Sequence, residues 1–152
     1  MNPLAHALTG AFIGQAAASP PLAFLGGLAS HVVLDAIPHA EGDTFREIPS
    51  ISFGVVHVEA AIELGLAALG LWWVATRCAS AQPVALALGA LGGLLPDLID
   101  QPLLMLRGRL LLHRKAWHRT LPRDRAVIGV LTQLALLALG GIGVWLISGC
   151  GR

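Results

Sequence analysis

The stretch that decides the fold is AVIGVLTQLALLALGGIGVWLIS, residues 126–148, which contains no charged side chain. A helix needs about 20 predominantly apolar residues to cross the hydrocarbon core of a bilayer. The whole chain of 152 residues has the same character, since 55% of its residues are hydrophobic and 12% are charged. A soluble domain carries about 25% charged residues. The composition therefore predicts an integral membrane protein and excludes an ordinary soluble domain.

Four further apolar segments precede this stretch, at residues 4–18, 21–37, 60–76 and 83–99. The first two are separated by a Ser-Pro-Pro run at 19–21, which is a strong turn signal. Each of these two is short for a full span, which predicts tilt or partial burial in protein. The predicted fold is an all-α, polytopic membrane bundle of about five hydrophobic helices, two of them short and N-terminal, with an amphipathic cytoplasmic segment. Residues 1–152 form a single domain in this prediction.

Two parts of the chain, residues 1–39 and 51–102, share an order of features that predicts a parallel repeat of two hairpins. Each part begins a helix near a His, turns, and returns to an Asp that is followed by Pro. Seven of the ten Lys and Arg residues lie within a predicted basic loop at 101–125. The positive-inside rule places this loop in the cytoplasm. We therefore expect a multi-pass protein of the inner membrane with a cytoplasmic N-terminus and an external C-terminus.

Aromatic residues and cysteines agree with this orientation. Three tryptophans fall at the predicted outer ends of the spans, where aromatic side chains favour the interface: Trp72, Trp73 and Trp145. The two cysteines, Cys78 and Cys150, are also expected outside, where an oxidising compartment would permit a disulfide. Two unrelated free thiols are an equally good interpretation of this pair, so the sequence leaves the question open.

Ionisable side chains inside the apolar segments predict where the function lies. Such a side chain costs about 2.5–3.5 kcal/mol at the centre of a span and usually faces the bundle interior. With a helical rise of about 1.5 Å per residue, four of them lie about 18–21 Å from the predicted outer surface: His6, Asp35, Glu63 and Asp97. Four helices thus present a polar group at one level, toward the cytoplasmic side, which predicts a shared site.

Two motifs place candidate metal ligands on single helix faces. His31 and Asp35 are spaced i, i+4, and Asp97 and Asp100 are spaced i, i+3, so each pair shares a face. His39 extends the first motif to H-x3-D-x3-H, although the preceding proline is expected to end the helix. Imidazole with carboxylate suits Zn, Mn or Fe, whereas carboxylate-rich sites suit Mg or Mn. We predict a bound divalent ion, with Zn preferred over Mn or Mg.

The basic segment supplies further candidates. His113 and His118 are five residues apart and could converge only from a loop or a helix end. The complete set of candidate metal ligands consists of His and Asp residues: His6, His31, Asp35, Asp97, Asp100, His113 and His118. Three basic side chains are candidates for binding a lipid phosphate: Arg114, Lys115 and Arg119. Glu59 and Glu63, which share a helix face, are the candidate general bases.

The chemistry that these residue types favour is metal-assisted hydrolysis. Three or four protein ligands with an open position would allow a bound water to ionise near neutral pH. Basic residues around such a site would attract anionic lipid head groups. We therefore expect hydrolysis of a phosphoester or ester, for which an anionic phospholipid is a candidate substrate, with membrane lipid as partner and no nucleic acid. Two alternatives remain open: a non-enzymatic transporter or sensor of metal ions or protons, and a structural protein whose polar cluster locks the helices.

Four segments together resemble the YdjM-like family of membrane-bound metal-dependent hydrolases: LAHALTGAFIG (4–14), GLASHVVLDAIPH (27–39), GGLLPDLIDQP (92–102) and HRKAWHRT (113–120). That family carries an early His and elements of the type LPDxD, HRxxxH[ST] and SHxxxD among hydrophobic helices. Here the SHxxxD element comes before the other two, and the Asp pair is spaced D-x-x-D. The resemblance implies a membrane hydrolase whose metal site consists of the seven His and Asp residues named above.

Overall fold

The computed structural model describes residues 2–17, 19–40, 53–107, 112 and 119–150, with only the backbone described at 53–57 and 101–107. Within these ranges the chain forms five α-helices and no β-strand: α1 (Pro3–Ala17), α2 (Pro20–Ala36), α3 (Phe53–Arg77), α4 (Pro83–Arg107) and α5 (Ala126–Ile147). One turn of 3-10 helix, Arg123–Arg125, leads into α5. The predicted all-α bundle is confirmed.

The helices fall into two length classes. Three segments are long and apolar enough to cross a membrane: Val58–Arg77, Pro83–Asp100 and Arg123–Ile147. The other two helices, α1 and α2, have 15 and 17 residues, and therefore rise only about 22 and 25 Å. The hydrocarbon core of a typical bilayer is about 30 Å thick. Both predicted short helices are thus present, and they are the ones that carry most of the candidate site.

Two helix boundaries differ from the sequence prediction. Helix α3 begins at Phe53 rather than at residue 60. Helix α4 continues through Pro96 and Pro102 to Arg107, so it extends into the segment predicted as a basic loop at 101–125. A proline in a helix interior removes one hydrogen bond and costs about 3 kcal/mol. Helix α4 nevertheless continues through both prolines, and it packs mainly against α1 and α2.

Glycines allow α1, α2 and α4 to approach one another closely. A Cβ atom on Gly89 would overlap the carbonyl oxygen of Gly10, and a Cβ on Gly27 would overlap the carbonyl oxygen of Gly89. Small residues at a crossing let helix backbones come into direct contact in lipid. Helices α3 and α5 pack on the outside of this three-helix core, both mainly against α1. Two glycine pairs spaced i, i+4 therefore lie where these helices cross: Gly10 and Gly14 of α1, and Gly89 and Gly93 of α4.

One end of the bundle is closed by a covalent bond. Cys78, after α3, forms a disulfide with Cys150, after α5, which decides the question that the sequence left open. Gln15 of α1 fastens the loop between α3 and α4, because its Nε2 donates to the Ser80 carbonyl (2.7 Å) and its Oε1 accepts from the Gln82 backbone (2.9 Å). We call this end of the molecule the disulfide end.

At the opposite end, the residues that follow α2 pair with those that precede α5. The backbone N–H of Arg119 donates to the carbonyl of Asp35 at 2.9 Å, and that of Leu121 donates to the carbonyl of His39 at 2.8 Å. A parallel bridge between His39 and Thr120 lies between these two bonds. The end of α2 is therefore held in place by a distant part of the chain.

Candidate metal centre

Three buried side chains from α1 and α2 meet at this second end. Nε2 of His6 lies 3.2 Å from Oδ1 of Asp35, and Nε2 of His31 lies 3.1 Å from Oδ2. The exposed fractions of His6, His31 and Asp35 are 0%, 2% and 0%. Their ligand atoms all lie within 4.8 Å of one another. The carboxylate of Asp35 is thus placed between two imidazoles, and the three groups could hold a metal ion.

Local helix geometry explains how the three side chains converge. His31 and Asp35 lie one turn apart on α2, as the i, i+4 spacing predicted. His6 comes from the first turns of α1, where the side chain of Asn2 caps the helix by accepting from the N–H of Ala5 at 3.0 Å. The His6 and His31 rings stack with their centroids 3.9 Å apart and their planes 19° apart. Both rings therefore present Nε2 to the same carboxylate.

The second nitrogen of His31 fixes the tautomer of its ring. Nδ1 lies 2.7 Å from the carbonyl oxygen of Gly93 on α4. Because a carbonyl can only accept, Nδ1 must carry the hydrogen. Nε2 then faces Oδ2 of Asp35 as an imidazolium N–H, as a lone pair that accepts from a protonated carboxyl, or as a lone pair with a cation beside it. A ring N–H donated to a backbone carbonyl is the usual outer contact of a metal-binding histidine.

His6 shows a different pattern. Among the described residues, its Nδ1 has no hydrogen-bond partner, and its Nε2 approaches Asp35 without the angular geometry of a hydrogen bond. An unsatisfied buried polar atom costs about 1–3 kcal/mol. In a tetrahedral zinc site with bonds of about 2.0–2.1 Å, ligand atoms are separated by roughly 3.3 Å. The separations of 3.1 and 3.2 Å join the two histidines to different oxygens of Asp35. The three ligand atoms lie within 4.8 Å of one another, so the cluster could hold a metal ion.

The two aspartates of α4 have separate roles. Asp97 is half-buried and lies one helical turn beyond Gly93, whose carbonyl contacts His31. Asp100 is fully buried, and its two oxygens accept from the backbone N–H of Leu112 at 2.9 and 2.8 Å. Asp100 therefore fixes the chain beyond α4, whereas Asp97 lies one turn along α4 from the contact with His31.

Neither candidate general base belongs to the cluster. The carboxylate of Glu63 accepts from Nδ2 of Asn2 at 3.0 Å and from the backbone N–H of Leu4 at 3.4 Å. Glu63 thus binds the start of α1, one turn before His6, a role that its place in the sequence does not indicate. Glu59 is exposed on the surface of α3.

The remaining predicted residues lie largely beyond the part of the chain that the structure describes. Four of them are outside it, so their predicted roles stay predictions: His113, Arg114, Lys115 and His118. Arg119 is described and has an exposed side chain, while its backbone N–H binds the carbonyl of Asp35.

Two contributions to the site were not apparent from the sequence. The carbonyl of Gly93 is a backbone group that no residue type signals. His39 is fully buried, and its Nδ1 donates to the carbonyl of Ile37 at 2.7 Å, so it stabilises the turn after α2. Its place in the H-x3-D-x3-H motif suggested a role in the same region, but the proline before it directs the chain away from the helix axis.

Comparison of the chain with protein-family models, with curated proteins and with solved structures found no match. The resemblance to the YdjM-like family therefore stays a prediction. The class that fold and site define is an all-α protein with three helices of membrane-spanning length and a buried His–Asp cluster that could hold a metal ion.

Proposed function

We propose that this chain is a membrane-embedded, metal-dependent hydrolase that cleaves a phosphoester or ester bond of a lipid. The observation that carries the proposal is the contact between Asp35 and two Nε2 atoms, together with the Nδ1–H of His31 on the carbonyl of Gly93. With His31 neutral and Asp35 ionised, this arrangement places a lone pair and a negative charge at one buried point, which a bound cation would stabilise.

Each residue has a distinct role in this proposal. His6 and His31 act as neutral ligands through Nε2, and Asp35 contributes the compensating negative charge. Asp97, one turn from Gly93, is the candidate for a fourth ligand or for orienting a substrate. A divalent ion bound here, with Zn preferred over Mn or Mg, would supply Lewis-acid chemistry and lower the pKa of a bound water.

The proposed location is the inner membrane, with a cytoplasmic N-terminus and an external C-terminus. The site then lies at the cytoplasmic end of the two short helices, within reach of the basic segment. Among the described residues of that segment, Arg119, Arg123 and Arg125 are exposed, and basic side chains at this level attract anionic head groups. The substrate we propose is accordingly an anionic membrane lipid.

Complete burial of the three side chains supports a second candidate function. Polar side chains that bind one another between membrane helices hold those helices together. The cluster joins α1 to α2 directly, and joins α2 to α4 through Gly93. In this second candidate function the polar cluster stabilises the helix bundle and binds no metal.

Metal content separates the two candidates. We expect about one equivalent of metal in the gently purified wild type, and at least tenfold weaker binding after Asp35→Asn, because loss of even an outer contact typically costs 10–100-fold. Ser30→Ala is the matched control, since Ser30 is buried beside His31 on α2 and its Oγ donates only to the Gly27 carbonyl at 2.6 Å. If mass spectrometry finds no metal in the wild type, this would contradict the hydrolase function. It would favour the second candidate, in which the cluster only holds the helices together.

Turnover of a labelled phospholipid panel in detergent then tests hydrolysis itself. We expect product from wild type and Ser30→Ala, and none from Asp35→Asn. Metal binding without turnover of any lipid would contradict the hydrolase function. It would favour a protein that transports or senses the ion.

A further inference from the structure

Asn2 makes three hydrogen bonds at the start of α1. Its side-chain Nδ2 donates to Oε1 of Glu63 on α3 at 3.0 Å, and its Oδ1 accepts from the backbone N–H of Ala5 at 3.0 Å. Its backbone carbonyl accepts from the backbone N–H of His6 at 3.4 Å. Asn2 is therefore bonded to α3 on one side and to a residue of the candidate metal centre on the other.

Glu63 binds the same turn of α1 with both oxygens of its carboxylate. Oε1 accepts from Asn2, and Oε2 accepts from the backbone N–H of Leu4 at 3.4 Å. The first turn of a helix has N–H groups without a partner in the helix and carries a partial positive charge, so a carboxylate is stabilised there. Helix α3 packs mainly against α1, and the half-buried Glu63 thus sets where the start of α1 lies.

The two histidines of the cluster differ in what orients their rings. A metal-binding histidine usually donates its second ring nitrogen to a carbonyl or a carboxylate, which fixes the ring. His31 makes such a bond to the carbonyl of Gly93, whereas Nδ1 of His6 has no hydrogen-bond partner among the described residues. The backbone of His6 is instead held at both of its polar groups. Asn2 accepts from its N–H, and its carbonyl oxygen packs against Gly93, where an added Cβ would overlap it.

We propose that Glu63 and Asn2 are positioning residues of the metal centre. They hold the first turn of α1 so that Nε2 of His6 lies beside Asp35, with the ligand atoms of all three cluster residues within 4.8 Å of one another. Glu63 then acts on the site through α1, and not by taking a proton from a bound water. The inference rests on the proposed function for the bound ion, while the position of the His6 ring can be measured without metal.

The zinc affinity of the full-length protein in detergent, measured by competition with a chelator, tests the proposal. Two variants remove the contact between α3 and the start of α1: Glu63→Ala and Asn2→Asp. The second retains an oxygen for the N–H of Ala5 but places two carboxylates against each other. We expect zinc binding to weaken by about tenfold or more in both variants, as is typical when an outer contact of a metal ligand is lost.

Gln15→Ala is the matched control, because it removes two hydrogen bonds from the opposite end of the same helix. Between His6 and Gln15 the helix rises about 13 Å. We expect this variant to lose stability and to keep the zinc affinity of the wild type. An equal loss of zinc affinity in Gln15→Ala and Glu63→Ala would identify general destabilisation of α1 as the cause, and would overturn the proposal.

Exchanging the two side-chain types provides a rescue. In Asn2→Asp/Glu63→Gln the amide lies on α3 and the carboxylate at the start of α1. We expect the zinc affinity to return to within about threefold of the wild type, because the pair again has one donor and one acceptor. An affinity as low as that of Asn2→Asp alone would contradict pairing between these two positions.

Histidine ring NMR of the chelator-treated protein measures the position of His6 without metal. The ring stacks on that of His31 with the centroids 3.9 Å apart, so its Cε1–H resonance is sensitive to small movements of the ring. His6→Gln assigns the signal. We expect the resonance to shift in Glu63→Ala and in Asn2→Asp, and to stay unchanged in Gln15→Ala.

The two measurements separate this inference from the proposed function. An unchanged His6 resonance in Glu63→Ala and Asn2→Asp would overturn the inference whatever the zinc result. Wild-type zinc affinity in Glu63→Ala together with lost lipid turnover would overturn it in favour of a general base. If the wild type binds no zinc, the proposed function fails, whereas a shifted His6 resonance in both variants still supports positioning of this ring by Glu63 and Asn2.

Discussion

Asp35 makes two kinds of contact, one through its side chain and one through its backbone. Its side chain lies between His6 and His31, and its backbone carbonyl accepts from Arg119. The first contact sets the charge of the candidate site, and the second holds the segment before α5 against the end of α2. A substitution of Asp35 changes its side-chain contacts with the two histidines. It leaves the hydrogen bond from Arg119, because the backbone carbonyl is retained. Asp35→Asn is therefore a sharper probe of the site than any change that moves α2.

Gly89 lies at a helix crossing that has no room for a side chain. Gly89→Ala would place a Cβ against the carbonyl of Gly10 and the Cα of Gly14. We expect the free energy of unfolding to fall by about 1–3 kcal/mol, which is typical of overpacking. Gly65→Ala is the control, because nothing lies within 4 Å of a Cβ at that position, and it should stabilise α3 by up to about 1 kcal/mol. Thermal unfolding in detergent measures both, and equal effects would contradict the close crossing.

The sequence identified part of the site for reasons that can be stated residue by residue. Helical spacing pairs His31 with Asp35, and equal depth places His6 at the same level. The contacts of Gly93 with His31 and of Glu63 with Asn2 could not be predicted. They depend on the rotation of one helix against another, and helices that are apolar on every side carry no amphipathic signal to set that rotation.

Among the elements, α3 is held to α1 by hydrogen bonds of Glu63. Only 11% of its apolar span is buried, against 44% of the span in α4. Glu63 joins α3 to the start of α1 through Asn2 and Leu4. Helix α3 is thus the element least buried by the rest of the bundle.

Removing that contact should loosen α3. Glu63→Ala is expected to lower the free energy of unfolding by about 1.5–3 kcal/mol, the range for hydrogen bonds to a charged group. Glu59→Ala, on the exposed part of the same helix, should have little effect on stability. Chemical unfolding and lipid turnover should be measured together. A variant that loses turnover with unchanged stability would instead identify a general base.

For the molecule as a whole, the disulfide is the strongest single constraint. It closes a loop across 72 residues of sequence, which contributes roughly 4 kcal/mol in the chain-entropy account. We expect a reductant to lower the melting temperature of the wild type and to leave a Cys78→Ser/Cys150→Ser variant unchanged. Thiol labelling of the untreated wild type after unfolding supplies the check, because reactive thiols at both positions would contradict the bond.

Orientation in the membrane is testable on the same cysteine-free background. Ala79 and Asp124 are both exposed and lie at opposite ends of the bundle. We expect Ala79→Cys to react with a membrane-impermeant maleimide on intact spheroplasts, and Asp124→Cys to react only after permeabilisation. The reverse pattern would invert the proposed topology and place the candidate site on the external side.

The Cys78–Cys150 bond also has a consequence for biogenesis. Between the two cysteines lie α4 and α5, so the bond can close only after α5 has emerged from the ribosome and has been inserted antiparallel to α4. A chain that stalls before this step, or that leaves α5 on the wrong side, keeps both thiols reduced. The oxidised fraction in a pulse-chase experiment would therefore report how much of the newly made protein has completed insertion.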